Sequence, residues 1–363
     1  MSRPPENHGW FYAKFPQHDG ALLPASSIFE LRALAPLGAL AEGRIRARLA
    51  LVAVAPMAKT YLELPGNDTG AEELGLKRTA LGSLVPTEYI AEVIETRNPA
   101  YAEGDKVWGM GPLCRYLDLA VDGSEGLPPL RVLPGVRPES MLSVVTPSAG
   151  ITAYVAVEHH PCGRVEPPFE ARTVLVTSAA GAVGLVLGQL YKNKGCRVVG
   201  VTSSREKADR LERFGGYDAV IAYKCEDLDA RLSELAPDGI DVFVDNVGAE
   251  QLDAGARHMK IGGRILSVGA IGELDAMVTG DVRGMKEYLR IPARELTMGG
   301  MLMYNHIDKL PEAWASLSAM LASGKLKSAE TIVRSGLERW AECVDRVYAS
   351  QSFGRMILAV DAA

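Results

Sequence analysis

The run Val174-Leu-Val-Thr-Ser-Ala-Ala-Gly-Ala-Val-Gly184 carries the most specific chemistry in the chain. At Gly181 the missing side chain lets the backbone approach an anion. At Gly184 it lets the following helix pack closely on the preceding strand. The free N–H groups and positive end of such a helix favour a phosphate. Set against G-x-G-x-x-G, the three slots are Ala179, Gly181 and Gly184, so the first departs from the pattern. The bland reading is a tight turn in any α/β domain. The turn sits between a predicted strand and a predicted helix, with a second strand at the right distance, and this favours a nucleotide.

The second strand selects which nucleotide. Sites for NAD place Asp or Glu about 20 residues beyond the turn, on the ribose 2′-hydroxyl. Here strand 197–201 runs into Thr202-Ser-Ser-Arg-Glu-Lys207, with no acid at its end. A carboxylate there would repel a 2′-phosphate, whereas Ser203, Arg205 and Lys207 would accept one through charge-assisted bonds. NADP is therefore expected over NAD. The alternative is that Arg205 and Lys207 are solvated helix-face charges. Glu206 lies between them and points elsewhere, since neighbours along a helix do not share a face.

These residues need a frame. From about residue 147, strand-like and helical segments alternate: strand 173–177, helix 181–194 stopped at Gly195, strand 197–201, helix 205–214 and strand 219–222. Helix 228–235, strand 241–245, helix 251–260 and strand 264–268 follow. Such alternation implies parallel pairing through right-handed crossovers, an α/β doubly wound parallel sheet. The first part has short β-like runs such as 44–54 and 88–95, and reads as a small, mostly β domain. The tail, with helices 311–323 and 337–350 and strand 355–360, can complete that first domain.

The 363 residues are 47% apolar and 23% charged, a globular profile sufficient for one large or two ordinary domains. Net charge is 39 − 45 = −6. A mildly acidic chain lacks the positive field that holds phosphate backbones, so nucleic acid is not the expected partner. Five cysteines with no C-x-x-C spacing read as reduced thiols in a cytoplasmic protein. The first ten residues have no apolar signal core. Residues 173–191 are uncharged for the length of a membrane span, but the central Ser178-Ala-Ala-Gly-Ala-Val-Gly184 favours strand, turn and helix.

Further motifs are collinear with these: Gly104-Asp-Lys-Val-Trp-Gly109, Ile151-Thr-Ala-Tyr154, Lys194-Gly-Cys-Arg-Val-Val-Gly200, Tyr223-Lys224, Pro237-Asp-Gly239, Asp245-Asn-Val-Gly248 and Gly269-Ala-Ile271. Together they resemble the zinc-independent medium-chain dehydrogenases/reductases, nearest the prostaglandin reductase, leukotriene 12-hydroxydehydrogenase and plant double-bond reductase group. The resemblance implies a Rossmann NADP-binding domain at 146–308, between the two parts (1–145 and 309–363) of a GroES-like catalytic domain. It implies that Ala180, Gly181, Ala182, Val183 and Gly184 wrap the pyrophosphate and that Lys207 meets the 2′-phosphate. Tyr223 and Asn246 would contact the cofactor. Val268, Gly269, Ala270 and Ile271, with Met301, Leu302 and Met303, would line the nicotinamide side. Ser352 stands where the family has a cofactor-binding Asn. By analogy the chain is a cytoplasmic homodimer.

Members of that family reduce an activated C=C bond. Hydride passes to the β-carbon of an enone or enal, and the enolate needs a hydrogen-bond donor in a dry cleft. The family's donor Tyr is Leu274 here, and Asp275 replaces the Asn after it. The family's Val-Asp-Pro-Tyr-Met-Arg becomes Val54-Ala-Pro-Met-Ala-Lys59. Met57 and Leu274 would therefore face an apolar, carbonyl-bearing substrate. Tyr61, Tyr288, Tyr304 and His306 are substitute donors, Tyr304 first among them, although a core tyrosine usually just satisfies its hydroxyl. Tyr154 reads as packing at the domain junction. Zinc is not expected: His159-His160 diverge and no third ligand is spaced nearby. No G-x-S-x-G elbow is present. The alternatives are a quinone, carbonyl or natural-product tailoring reductase, or an NADPH-binding protein with little catalysis.

Overall fold

The computed structural model describes residues 6–18, 21–60, 62–63, 78–273 and 283–360. The chain forms two compact units, residues 1–142 with 330–363, and residues 143–329.

The second unit is built on six strands in the spatial order Ala219–Ala222, Arg197–Thr202, Thr173–Val176, Ile240–Asp245, Met259–Ser267, Thr297–Gly300. Every neighbouring pair is parallel. This is the expected doubly wound sheet. The strand order reverses between Thr173–Val176 and Ile240–Asp245, and ligands of such sheets bind outside the carboxyl ends of the strands at that point. Val174, Leu175, Val176, Val242, Phe243 and Val244 are buried, as strands covered on both faces require. Helix Ala182–Lys194 ends at Gly195, whose φ of +97° forms a left-handed stop.

Three elements differ from expectation. The helix expected at 251–260 is Ala249–Arg257, and the next strand starts at Met259, not 264. The 259–263 stretch contains Gly262 and Gly263, which obscured its strand character. The sixth strand, Thr297–Gly300, was not anticipated: two of its four residues are glycine. The return to the first unit lies at 330 and not 309. Helix Leu310–Ala322 belongs to the second unit, where Tyr154 donates to Glu312 Oε1 at 3.0 Å. The buried Gln189 amide brackets the Lys327 backbone, accepting from its N–H at 2.8 Å and donating to its carbonyl at 3.0 Å. Tyr154 thus binds helix to helix inside this unit.

The first unit holds a seven-stranded mixed sheet with Arg44–Val54 and Pro86–Thr96 at its centre, antiparallel to each other. The C-terminal strand Arg355–Val360 pairs with Arg44–Val54, so both chain ends build this unit, as expected. A second strand from the tail, Glu330–Ser335, extends the edge. Trp10, Tyr12, Phe29, Tyr89 and Trp340 fill the core. Trp10 Nε1 donates to the Leu337 carbonyl at 2.8 Å, satisfying the indole where it is buried.

Candidate active site

Strand Thr173–Val176 runs into a turn in which Ser178 takes the strained left-handed conformation, φ +50°. The Gly181 N–H closes the turn on the Ser178 carbonyl at 2.8 Å. Helix Ala182–Lys194 starts at Gly181 with no side chain capping its first turn. Its first N–H groups, at half-buried positions 182 and 183, are therefore available to an anion, with roughly half an elementary charge at the helix end. Gly184 has a packing reason: a Cβ there would lie 2.4 Å from the Ser178 carbonyl oxygen and 2.7 Å from Ala179 Cα.

Ala179 in the first slot is explained across the sheet. It is fully buried, and a Cβ on Gly200 would come within 2.9 Å of the Ala179 Cβ. The space that a glycine usually yields in the turn is yielded here by Gly200, in the neighbouring strand Arg197–Thr202. The signal was present in the 194–200 motif, but its partner was not visible in the sequence.

At the switch point, Thr177 and Asp245 are both completely buried. Asp245 Oδ1 accepts from Thr177 Oγ1 at 2.7 Å and from the Val247 N–H at 3.1 Å, and Oδ2 accepts from the Gly248 N–H at 2.8 Å. Burial raises the Asp245 carboxyl above the usual carboxylate range, against these three bonds. Asn246 donates from Nδ2 to the Thr177 carbonyl at 2.8 Å. The 268–272 segment then lies along this loop: Val268 and Gly269 donate to the Asp245 carbonyl, and Gly272 to the Val247 carbonyl. The phosphate turn, Asn246 and residues 268–271 thus form one hydrogen-bonded surface at the carboxyl ends of the central strands.

The second cluster stands at the ends of Arg197–Thr202 and Ala219–Ala222, where the Tyr223 N–H reaches the Thr202 carbonyl at 3.0 Å. Ser204 caps helix Arg205–Phe214 by accepting from the Lys207 N–H at 3.3 Å. Burial, with neighbouring Lys224 adding to it, pulls the Lys207 ammonium below the usual lysine range. An arriving dianion would stabilise both ammonium groups. Lys224 also lies 6.0 Å over the Tyr223 ring. Lys224 was not singled out from sequence, because only the pairing of two strand ends brings it to Lys207. Arg205 turns away from this role: its guanidinium pairs with Glu226 at 2.8 Å. Burial alone would raise Glu226, but the Ala222 N–H and Arg205 hold its carboxyl below the usual range.

The remaining predicted residues are spread out. Met301 is buried and tied to the sheet through its N–H to the Ser267 carbonyl at 2.9 Å; Leu302 and Met303 follow, half-buried. Tyr304 lies in the 3-10 helix Met303–Lys309 and is 41% exposed. Tyr288 is more open still, at 63%. Met57 and Ser352 belong to the first unit. Met57 begins the short helix Met57–Thr60, where buried Lys59 lies 4.5 Å over the Tyr348 ring and the Tyr348 hydroxyl donates to the Pro56 carbonyl at 2.7 Å. Tyr61, Leu274 and Asp275 lie outside the described residues. Among the described residues, no three His, Cys, Asp or Glu side chains converge as a metal site.

Comparison with known proteins decides the family. Residues 182–322 match the zinc-binding dehydrogenase family model. Rabbit (Oryctolagus cuniculus) prostaglandin reductase 1 is 32% identical over 284 residues, 78% of this chain and 78% of that protein. The chain belongs to the medium-chain dehydrogenase/reductase family. Another member, the NADP(+)-dependent 2-alkenal reductase of Nicotiana tabacum, is 30% identical over 286 residues, 77% of this chain and 78% of that one. In fold, this medium-chain dehydrogenase/reductase resembles CurA from Vibrio vulnificus, solved in complex with NADPH. The TM-score is 0.80 at 23% identity, over 98% of this chain and 100% of that one.

Proposed function

We propose that the chain reduces a C=C bond conjugated to a ketone or aldehyde carbonyl, using NADPH. It is an NADP-dependent oxidoreductase of the medium-chain family. The observation that carries the reading is the uncapped helix N-terminus at Gly181, with Lys207 and Lys224 following the two strands next in the sheet, in a chain whose relatives include named alkenal and prostaglandin reductases. The fit is favourable: Gly181 opens the cradle, the N–H groups of residues 182 and 183 would face the pyrophosphate, and two ammonium groups suit a 2′-phosphate. When bound, NADPH supplies the hydride for the β-carbon.

The chain's own residues bind and orient. Asn246 contacts the cofactor, and residues 268–271 with Met301, Leu302 and Met303 line the nicotinamide side. Tyr304 is the proposed donor to the substrate carbonyl oxygen, and Met57 an apolar substrate contact. An apolar carbonyl compound suits this composition. The edge strand Thr297–Gly300, with exposed Met298, supports a homodimer. The five unpaired cysteines support a reducing, cytoplasmic setting.

The test is loss of reduced-nicotinamide absorbance with a panel of enals, enones, quinones and simple carbonyls, using NADPH or NADH. Turnover of enals or enones with NADPH well above NADH is expected. Turnover confined to quinones would replace the reading with a quinone reductase, and tight NADPH binding with no turnover would replace it with a binding protein. Tyr304→Phe should lower kcat more than it raises KM.

A further inference from the structure

We propose that the first unit holds a second small-molecule site: a cleft beside the 125–129 loop that takes a neutral, apolar molecule carrying one hydrogen-bond acceptor. The cleft has a volume of about 220 Å³. No residue assigned above to cofactor or substrate lines it, so the site does not depend on the reductase reading.

The cleft follows from one tyrosine and two glycines. Tyr89, in the central strand Pro86–Thr96, stands directly opposite Gly109 in strand Lys106–Pro112. A Cβ on Gly109 would lie 2.7 Å from both the Tyr89 hydroxyl oxygen and its Cε2. A Cβ on Gly111 would lie 3.5 Å from the same oxygen. The ring therefore lies along the glycine backbone, with its hydroxyl at the cleft. This explains the glycine that ends the 104–109 motif, since no side chain fits between that backbone and the ring. The outer edge of Lys106–Pro112 pairs with Leu130–Arg131 only through Val107 and Trp108. Residues 109–112, beyond that pairing, form one wall of the cleft, and strand Tyr116–Ala120 forms another.

The loop that completes the cleft is pinned at both ends. Arg44 donates to both Glu125 carboxylate oxygens, at 2.6 and 2.8 Å. The Pro129 carbonyl accepts from the Tyr101 hydroxyl at 2.6 Å. Between them Leu127, with Pro112, Leu117 and Leu119 across the cleft, supplies apolar lining.

What this cleft offers a ligand is specific. Tyr89 is only 1% exposed, and among the described residues its hydroxyl has no hydrogen-bond partner. Burial raises the phenol far above its ordinary value, so it stays protonated and can donate. The neighbouring Cys114 thiol already donates to the Tyr116 carbonyl at 3.2 Å. A buried hydroxyl without an acceptor forgoes the stabilisation of a hydrogen bond, which a ligand carbonyl or ether oxygen would restore. Two carboxylates, Asp118 and Glu125, line the cleft, and no cationic side chain does. An anionic ligand is therefore disfavoured. Each carboxylate already has its arginine, Arg46 at 2.7 Å and Arg44 at 2.6 Å, so neither requires a cationic one. An apolar cavity of about 150 Å³ holds benzene, so the volume here suits a single ring with a short polar substituent.

Acetophenone is the probe, and cumene, the same shape without the oxygen, is its control. Ligand-observed NMR titration of the full chain should show saturable binding of both, with acetophenone favoured about fivefold, the worth of one hydrogen bond. Tyr89→Phe keeps the ring and should erase that preference. Gly111 lies outside the left-handed region, so its backbone accepts Gly111→Val, whose side chain would fill the cleft. That variant should lose both ligands while keeping the wild-type affinity for NADPH. Absence of binding in the wild type at millimolar ligand would overturn the proposal and leave the cleft to solvent. So would a preference that survives Tyr89→Phe, or binding that survives in folded Gly111→Val. Should Gly111→Val fail to fold, the Tyr89→Phe comparison decides alone.

Discussion

Thr177 Oγ1 donates to Asp245 Oδ1 at 2.7 Å and accepts from the Asn246 N–H at 2.8 Å, so one buried hydroxyl joins the phosphate turn to the loop carrying Asn246. The two residues end adjacent parallel strands where the strand order reverses. Replacement by valine keeps the shape and leaves two buried polar groups without that partner. Thr177→Val should cost roughly 1–3 kcal/mol of stability, read as a lower unfolding midpoint, together with weaker NADPH binding. Thr177→Ser should retain most of both. Wild-type melting and binding in the valine variant would show that the junction is dispensable.

The geometry separates three cations that look alike in the sequence. Lys207→Ala should weaken NADPH by about tenfold or more while leaving NADH unchanged, since a charged hydrogen bond contributes roughly 1.5–3 kcal/mol. Lys224→Ala should act in the same direction. Arg205→Ala should leave the NADPH/NADH ratio near the wild-type value, because its partner is Glu226. Calorimetry with both nucleotides checks all three, and a large selectivity loss in the Arg205 variant would contradict the assignment.

Gly200 and Ala179 should be energetically coupled. The Cβ of Gly200→Ala would meet Ala179 Cβ at 2.9 Å and Tyr217 Cδ1 at 2.8 Å. Overpacking of this kind costs about 1–3 kcal/mol. Ala179→Gly should restore part of that loss, giving a non-additive double-mutant cycle in denaturant unfolding. Gly184→Ala should be harsher, because its clash is with backbone atoms that no side-chain rotation can clear.

Thiol chemistry should single out one position. Cys225 is the exposed cysteine of the five. Burial holds Cys114 up to about 12 and Cys343 up to about 11, and also raises Cys162 and Cys196. Because the thiolate is the nucleophile, a thiol-exchange reagent near neutral pH should modify one site rapidly in the folded protein and all five after unfolding. Cys225→Ser should abolish the rapid phase. Early labelling of a second cysteine by mass spectrometry would contradict the burial pattern.

The amino-acid sequence by itself determined what depends on near neighbours in the chain. Alternating apolar runs specified strands and crossover helices, hence the parallel sheet, because each element's hydrophobic period is local. Gly181 and Gly184 were legible because one turn joins the strand to the helix. The tail's return to the first unit was legible in strand 355–360, but not its entry point. That depends on Gln189 and Tyr154 holding residues 310–327 in the second unit. Tertiary structure alone decided which distant groups meet. It set Gly200 under Ala179, Lys224 near Lys207 and Glu226 on Arg205. In each case the partners lie on different strands or turns. Only the sheet's strand order, fixed by burying both of its faces, brings their ends together.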